Sequence, residues 1–437
     1  MGSWPVKLMD ELCEITSSKR IYAADYVSEG VPFYRGREIT EKYMGNLDVS
    51  TELFITEEKY LEIERRFSAP KLGDLLLTSV GTLGSVYVVK PGDRFYFKDG
   101  NLTWFRHFKG LDSQFLCYWI SSPQGKAELK KCTIGSSQSA FTIVLLKRME
   151  IEVPPLPIQH RIAGILLAYD ELIENCQRRI KILEAMARAL YREWFVHFRF
   201  PGHESIPRVP SPLGEIPQGW EVKKLGKLIS THIGGGWGKD VPDEGHNEPA
   251  WVIRGTDIPE VRYSQVGGVP YRIHTTSNLR SRRLHAGDIV FEVSGGSKGQ
   301  LVGRALLISP ELLTSLGGDV ICASFCKRIQ PDIDRYGSEL LYLSFLEGYE
   351  SGEIEQYQVQ STGISNFKWT EYLANTNRVV PPNTLQSEFH GHVAPLFTQI
   401  ATLGRKIYNL RRTRDMLLPR LLSGQIPLTT KERIHHA

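Results

Sequence analysis

Cysteine is scarce in this chain: six occur in 437 residues (Cys13, Cys117, Cys132, Cys176, Cys322 and Cys326), and no two stand as C-x-x-C. That scarcity excludes a disulfide-built scaffold and a zinc-ligand arrangement, and it suits a reducing cytoplasm, the expected location. No apolar run approaches the roughly 18 residues of a spanning helix, so no membrane association is expected. The opening MGSWPVKLMDEL lacks the positive-then-apolar pattern of a secretory signal. With 39 glycines and 24 prolines the chain is neither collagen-like nor of low complexity. Neither sign of charge dominates: 53 Lys and Arg against 49 Asp and Glu leave +4, which permits a polyanionic partner without demanding one.

Catalytic signatures are missing too. The cluster Gly234-Gly-Gly-Trp-Gly238-Lys239-Asp240 has three residues between its outer glycines where a phosphate loop has four, and Asp240 replaces the magnesium-binding hydroxyl, so it reads as a turn. Both Pro-Pro pairs follow valine, not the Asn or Asp that would grip a flipped adenine. Gly295-Gly-Ser297-Lys-Gly299 fits the letters of a nucleophile elbow, but the apolar Ala305–Ile308 after it reads as a strand where the elbow needs a helix. No H-E-x-x-H occurs among the twelve histidines. A chain without catalytic residues, metal ligands or cofactor of its own is expected.

What the chain does have is itself, twice. At this length one core is insufficient, and two halves repeat a common pattern. Trp4-Pro-Val-Lys7 returns as Trp220-Glu-Val-Lys223. Arg35-Gly36 after an apolar run returns as Arg254-Gly255, and Gly73-Asp74 before a buried-strand pattern returns as Gly287-Asp288. Pro154-Pro155 and Gln159 return 227 residues later as Pro381-Pro382 and Gln386.

After each proline pair the apolar positions alternate by four and three. They run Ile162, Leu166, Tyr169, Ile173, Cys176, Ile180, Leu183, Ala187, Leu190, Trp194, then Phe389, Val393, Leu396, Ile400, Leu403, Ile407, Leu410, Arg414, Leu417, Leu421, with Arg414 the one departure. That is a heptad seam on two helices of almost forty residues, roughly 55 to 60 Å at 1.5 Å per residue, and each needs a partner helix in water. Pro395 is expected to kink the second. The expected fold is α+β: two mixed α/β domains joined by two long antiparallel coiled-coil helices in a pseudo-twofold internal repeat. The segments are 1–155 for the first domain, 156–199 for the first helix and 200–218 for a linker with five prolines. The second domain takes 219–380, and 381–437 holds the second helix and a tail. Phe95–Phe105 and Asp319–Ile329 each read as strand.

Two similar domains held apart by a rod suit a bipartite target, and double-stranded DNA is the natural ruler. Two diverged repeats would read two different half-sites. The candidate DNA contacts are the basic residues beside the glycine-rich turns, Lys19, Arg20, Arg35 and Arg37, then Lys239, Arg254, Arg272 and Lys298, with Thr78, Ser79, Ser294 and Ser297 as polar partners. The alternative is a non-DNA scaffold whose coiled-coil rod spaces two protein-binding domains.

The paired Trp openings, the Arg-Gly runs, the Gly-Asp turns, the Pro-Pro-x-x-x-Gln helix starts and the closing Leu417-Leu-Pro-Arg-Leu-Leu-Ser-Gly424 together resemble the specificity subunits of Type I restriction-modification enzymes over the whole chain. The resemblance implies two target recognition domains, each reading one half of an asymmetric site, with helices that set the spacer and dock two adenine methyltransferase (modification) subunits. S-adenosylmethionine, ATP and magnesium would then belong to those subunits and to motor-nuclease (restriction) subunits. The first helix ends in Leu190-Tyr-Arg-Glu-Trp-Phe195 where the family has a Leu-Leu-Pro-like close.

Overall fold

The computed structural model describes residues 4–46, 49–135, 139–263, 265–295, 301–361 and 364–428. The chain divides into two compact units, Met1–Glu174 with Leu410–Ala437, and Asn175–Asn409, so each long helix contributes to both.

The duplication read from sequence is present as topology. In the first unit β1 (Glu14–Thr16), β2 (Leu75–Thr78), β3 (Val86–Val88) and β4 (Leu102–Arg106) form an antiparallel sheet in the order β1-β4-β2-β3. In the second unit β5 (Ile229–Gly234), β6 (Ile289–Glu292), β7 (Ala305–Leu307) and β8 (Cys326–Pro331) repeat it as β5-β8-β6-β7. A further sheet recurs as well: Val31–Tyr34 runs parallel to Tyr96–Phe97, and Glu248–Ile253 runs parallel to Val320–Cys322. Apolar side chains of β2 and β6 are buried on both faces, which accounts for their unalternating Leu-Leu-Leu and Ile-Val-Phe runs.

The Gly-Asp turns do the same work in both copies. Gly73 and Gly287 stand at φ +86° and +88°, where a side chain is strained. The following carboxylate accepts the amide three residues back and a donor from the neighbouring strand. Asp74 takes Lys71 N and Trp104 Nε1, both at 2.9 Å, and Asp288 takes His285 N at 2.7 Å and Arg328 Nε at 2.8 Å.

Helix α1 (Leu156–Tyr191, 36 residues) starts behind Pro154-Pro155 and closes in a π turn, Arg192–Val196. Helix α2 (Asn383–Leu422, 40 residues) runs unbroken through Pro395 and Pro419. Every seam position of both helices is buried or half-buried. In the first unit the start of α1 meets the end of α2, with Ile162, Leu166, Leu421 and Leu422 in one core. In the second unit the end of α1 meets the start of α2: Phe389 lies 4.7 Å from Phe195 and 5.7 Å from Trp194, ring centre to ring centre. The helices are therefore antiparallel in each. Arg414, the break in the seam, reaches Asp170 of α1 at 2.5 Å, and Asp170 also accepts the Tyr118 hydroxyl at 2.5 Å. A single polar pair in an apolar seam favours one register over its neighbours.

The repeated glutamine is the clamp between helix and domain. Gln159 Oε1 accepts Asp112 N at 2.8 Å while its Nε2 donates to Pro154 O at 2.7 Å and Gly110 O at 3.0 Å. Gln386 makes the equivalent set with Gly337 N, Pro381 O and Arg335 O at 3.3, 3.0 and 2.9 Å. Gln159 is fully buried and Gln386 only half-buried. Gln159→Leu should accordingly cost about 2 to 4 kcal/mol, because it leaves an amide and two carbonyls unmatched, whereas Gln386→Leu should cost about 1 kcal/mol since water can replace the amide. Denaturant melts of the two variants check the difference.

Two expectations are corrected. Residues 200–218 are not a bare linker: Arg208–Ser211 and Gly214–Pro217 pair as a hairpin, and Phe200 and Ile216 are buried in the second unit's core. Phe95–Phe105 and Asp319–Ile329 are each two strands in different sheets, Tyr96–Phe97 then β4 and Val320–Cys322 then β8, joined by turns over 98–101 and 323–325. Asp99-Gly100 marks the first turn in sequence; the second has no glycine or proline to announce it.

Candidate nucleic-acid interface

The Arg-Gly motif has a local task in each copy. Arg35 caps the helix Gly36–Tyr43: its backbone N donates to Glu38 at 2.7 Å and its Nη2 pairs with the same carboxylate at 3.1 Å. Arg254 repeats this with Asp257, through its backbone N at 2.9 Å and its Nη2 at 2.7 Å, and adds a bond to Gly268 O at 3.0 Å. Burial opposes ionisation of Glu38, yet the bonds from Arg35 hold its carboxyl below the ordinary value. An acid three residues after each arginine was the legible signal, and it reassigns part of the motif's meaning from DNA to helix capping.

Thr78 and Ser79 are removed from the candidate surface. Both are buried; the Thr78 hydroxyl accepts Ser85 N at 2.9 Å and the Ser79 hydroxyl bonds Thr103 at 2.7 Å. They close the end of β2 from inside. Ser297 and Lys298 lie outside the described residues. Of the remaining candidates, Lys19, Arg20 and Lys239 sit on loops, Arg37 on the helix Gly36–Tyr43, and Arg272 and Ser294 on short strands. Lys19 lies 5.1 Å above the Phe67 ring, Arg20 pairs with Asp99 at 2.7 Å, and Arg37 donates to Ser50 O at 3.0 Å and to Glu38 at 3.1 Å. Lys239 pairs with Asp243, whose carboxyl is held well below its usual range by Lys239 first and His246 second.

In the second unit the glycine cluster forms a braced loop after β5. Gly235 N donates to Cys326 O and Gly236 N to Cys322 O, both at 2.9 Å, while Arg282 Nε holds Gly234 O at 2.9 Å. Arg272 lies 4.6 Å over the Trp237 ring, donates to Trp237 O and Gly238 O at 3.2 and 3.3 Å, and pairs with Asp240. The loop thus holds a tryptophan 41% exposed in one orientation. Beside it Ser294 Oγ bonds Asn366 at 2.7 Å, and Val293 N and Ser294 N both donate to Phe325 O.

Lys239 and Arg272 are matched with exposed carboxylates, Asp243 and Asp240, whereas Arg35 and Arg37 face the buried Glu38 and Arg254 the buried Asp257. Surface pairs contribute about 0 to 1 kcal/mol, so a phosphate can replace Asp240 or Asp243 at little cost. The arrangement suits a strong polyanion, with rigid aromatic and amide side chains between the cations available for a partner's edges. No helix among the described residues is long and apolar enough to cross a membrane.

Comparison with known proteins gives a consistent result. Residues 1–185 match the family model described as Type I restriction modification DNA specificity domain. The MjaIX specificity subunit of a Type I restriction enzyme from Methanocaldococcus jannaschii is 27% identical over 444 residues, covering 97% of this chain and 93% of that protein. A putative Type I specificity subunit of Haemophilus influenzae, S.HindORF215P, is 27% identical over 186 residues, 41% of this chain and 44% of its own length. Among solved structures, the Type I restriction-modification S subunit from M. genitalium superposes with a TM-score of 0.54 at 15% identity, over 96% of each chain, a likeness of fold.

Proposed function

We propose that the chain, whose residues 1–185 match the family model described as Type I restriction modification DNA specificity domain, is the non-catalytic recognition subunit of a Type I restriction-modification complex, each of its two domains reading one half of an asymmetric bipartite DNA site. The observation that carries this is the duplicated sheet, β1-β4-β2-β3 and β5-β8-β6-β7, built with the same turn, clamp and capping bonds but with different side chains at its loops. A shared scaffold presents two surfaces of unlike chemistry, which is what two unlike half-sites require. The long helices α1 and α2 set the spacer between half-sites and dock two modification subunits, which with the restriction subunits carry S-adenosylmethionine, ATP and magnesium.

Competition binding tests the proposal. The complex should favour one bipartite asymmetric sequence over random duplex by at least about 10³-fold, and its affinity should fall with log salt at a slope near −0.9 for each phosphate neutralised. A salt-insensitive affinity without sequence preference would instead mark a scaffold for protein partners.

A further inference from the structure

Resting on that reading, residues that hold the scaffold should be alike in the two domains, and residues that read bases should occupy equivalent places with unlike chemistry. The turns missed in sequence meet the second condition. In the first domain Ser79 N donates to Asn101 O at 2.8 Å; in the second Val293 N donates to Phe325 O at 2.9 Å. Each carbonyl belongs to the residue just before β4 or β8, and each amide to the residue just after β2 or β6, so the backbone seat is one and the same. The side chains on that seat differ completely: a half-buried amide at Asn101 and a phenyl ring 54% exposed at Phe325.

The second turn is rigid. Cys326 N donates to Ala323 O and Ala323 N to Ile253 O, both at 2.8 Å, and Gly235 packs directly on the Cys322 and Ala323 carbonyls. That packing seats Gly235 and Gly236, the start of the loop that carries Trp237, against the backbone of the Phe325 turn. In the first domain the turn carries Asp99, the partner of Arg20. Both turns therefore hold the backbone of Asn101 or Phe325 in one place while leaving its side chain at the surface.

We propose that Asn101 and Phe325 are the equivalent base-reading positions of the two domains. The Asn101 amide can make paired bonds to the N6 and N7 of adenine, and the Phe325 ring can cover the 5-methyl group of thymine, both in the major groove.

The test uses the full chain assembled with its modification subunits and a pool of duplexes randomised in both half-sites. Wild type should select a bipartite sequence. Phe325→Asn should shift one base pair of a single half-site from thymine to adenine, or abolish preference there, changing discrimination by about 5- to 100-fold while the other half-site stays the same. Asn101→Phe should do the reciprocal in the other half-site. Both side chains reach the surface, so the melting temperature should hold, and a thermal melt confirms that the variants are folded. Variants that select the wild-type bases, or that lose affinity equally for every sequence, overturn the assignment while the reading of the chain stands. A wild-type complex that selects no bipartite sequence sinks that reading and the assignment with it.

Discussion

Val393→Asp is expected to destabilise the second unit by about 4 kcal/mol, since an unpaired carboxylate would be placed in an apolar seam and either ionise there or take up a proton at equal expense. Val393 is fully buried on α2, in one core with Ala187, Trp194 and Phe389. No cation among those neighbours is placed to pair with it, unlike Asp170, which has Arg414. A loss of that size is a large share of the roughly 5 to 15 kcal/mol that holds a domain folded, and it should lower the melting temperature by about 8 to 16 °C. Gln399→Asp on the exposed face of the same helix should move stability by no more than about 0.5 kcal/mol. Equal melts for the two variants would mean that the seam does not hold the helices together.

Gly235→Ala should cost about 3 kcal/mol and weaken recognition by the second domain, while Gly234→Ala, one residue earlier, should change little. A Cβ at Gly235 would lie 2.1 Å from Cys322 O and 2.2 Å from Ala323 O, and at Gly234 it would meet nothing within 4 Å. Neither carbonyl can step aside. Cys322 is paired with Ile253 in a sheet, and Ala323 N is bonded to Ile253 O. The strain must therefore be relieved by the loop, which carries Trp237 and rests on the turn of Phe325. Thermal melts combined with competition binding at each half-site check this, and equal behaviour of the two alanine variants would show that the close approach is not needed.

Both predictions concern glycine and apolar residues whose patterns were visible in one dimension, yet they differ in how much could be read there. The seam was legible because heptad spacing is a local property that any long helix displays. The Gly-Gly-Gly run announced only a turn; which of its glycines is irreplaceable depends on a strand nearly ninety residues away. Arg35 and Arg254 were legible as a matched pair, but that each also braces a local turn through Glu38 and Asp257 emerged only from the hydrogen bonds. Thr78 and Ser79 were misplaced because a polar letter at a strand end looks the same whether its hydroxyl points to solvent or to a neighbouring strand.

Sequence alone determined that the chain is a tandem duplication, that two heptad helices pair, and that a glutamine follows each proline pair. Those facts rest on repetition and period, which need no third dimension. Tertiary structure decided what each repeated letter is for: that Gln159 and Gln386 clamp helix to domain, and that an apparent long strand is two. It also decided that Asn101 and Phe325 share one backbone seat. Hydrogen bonds between residues distant in the chain set these roles, and such bonds leave no periodic trace in the order of amino acids.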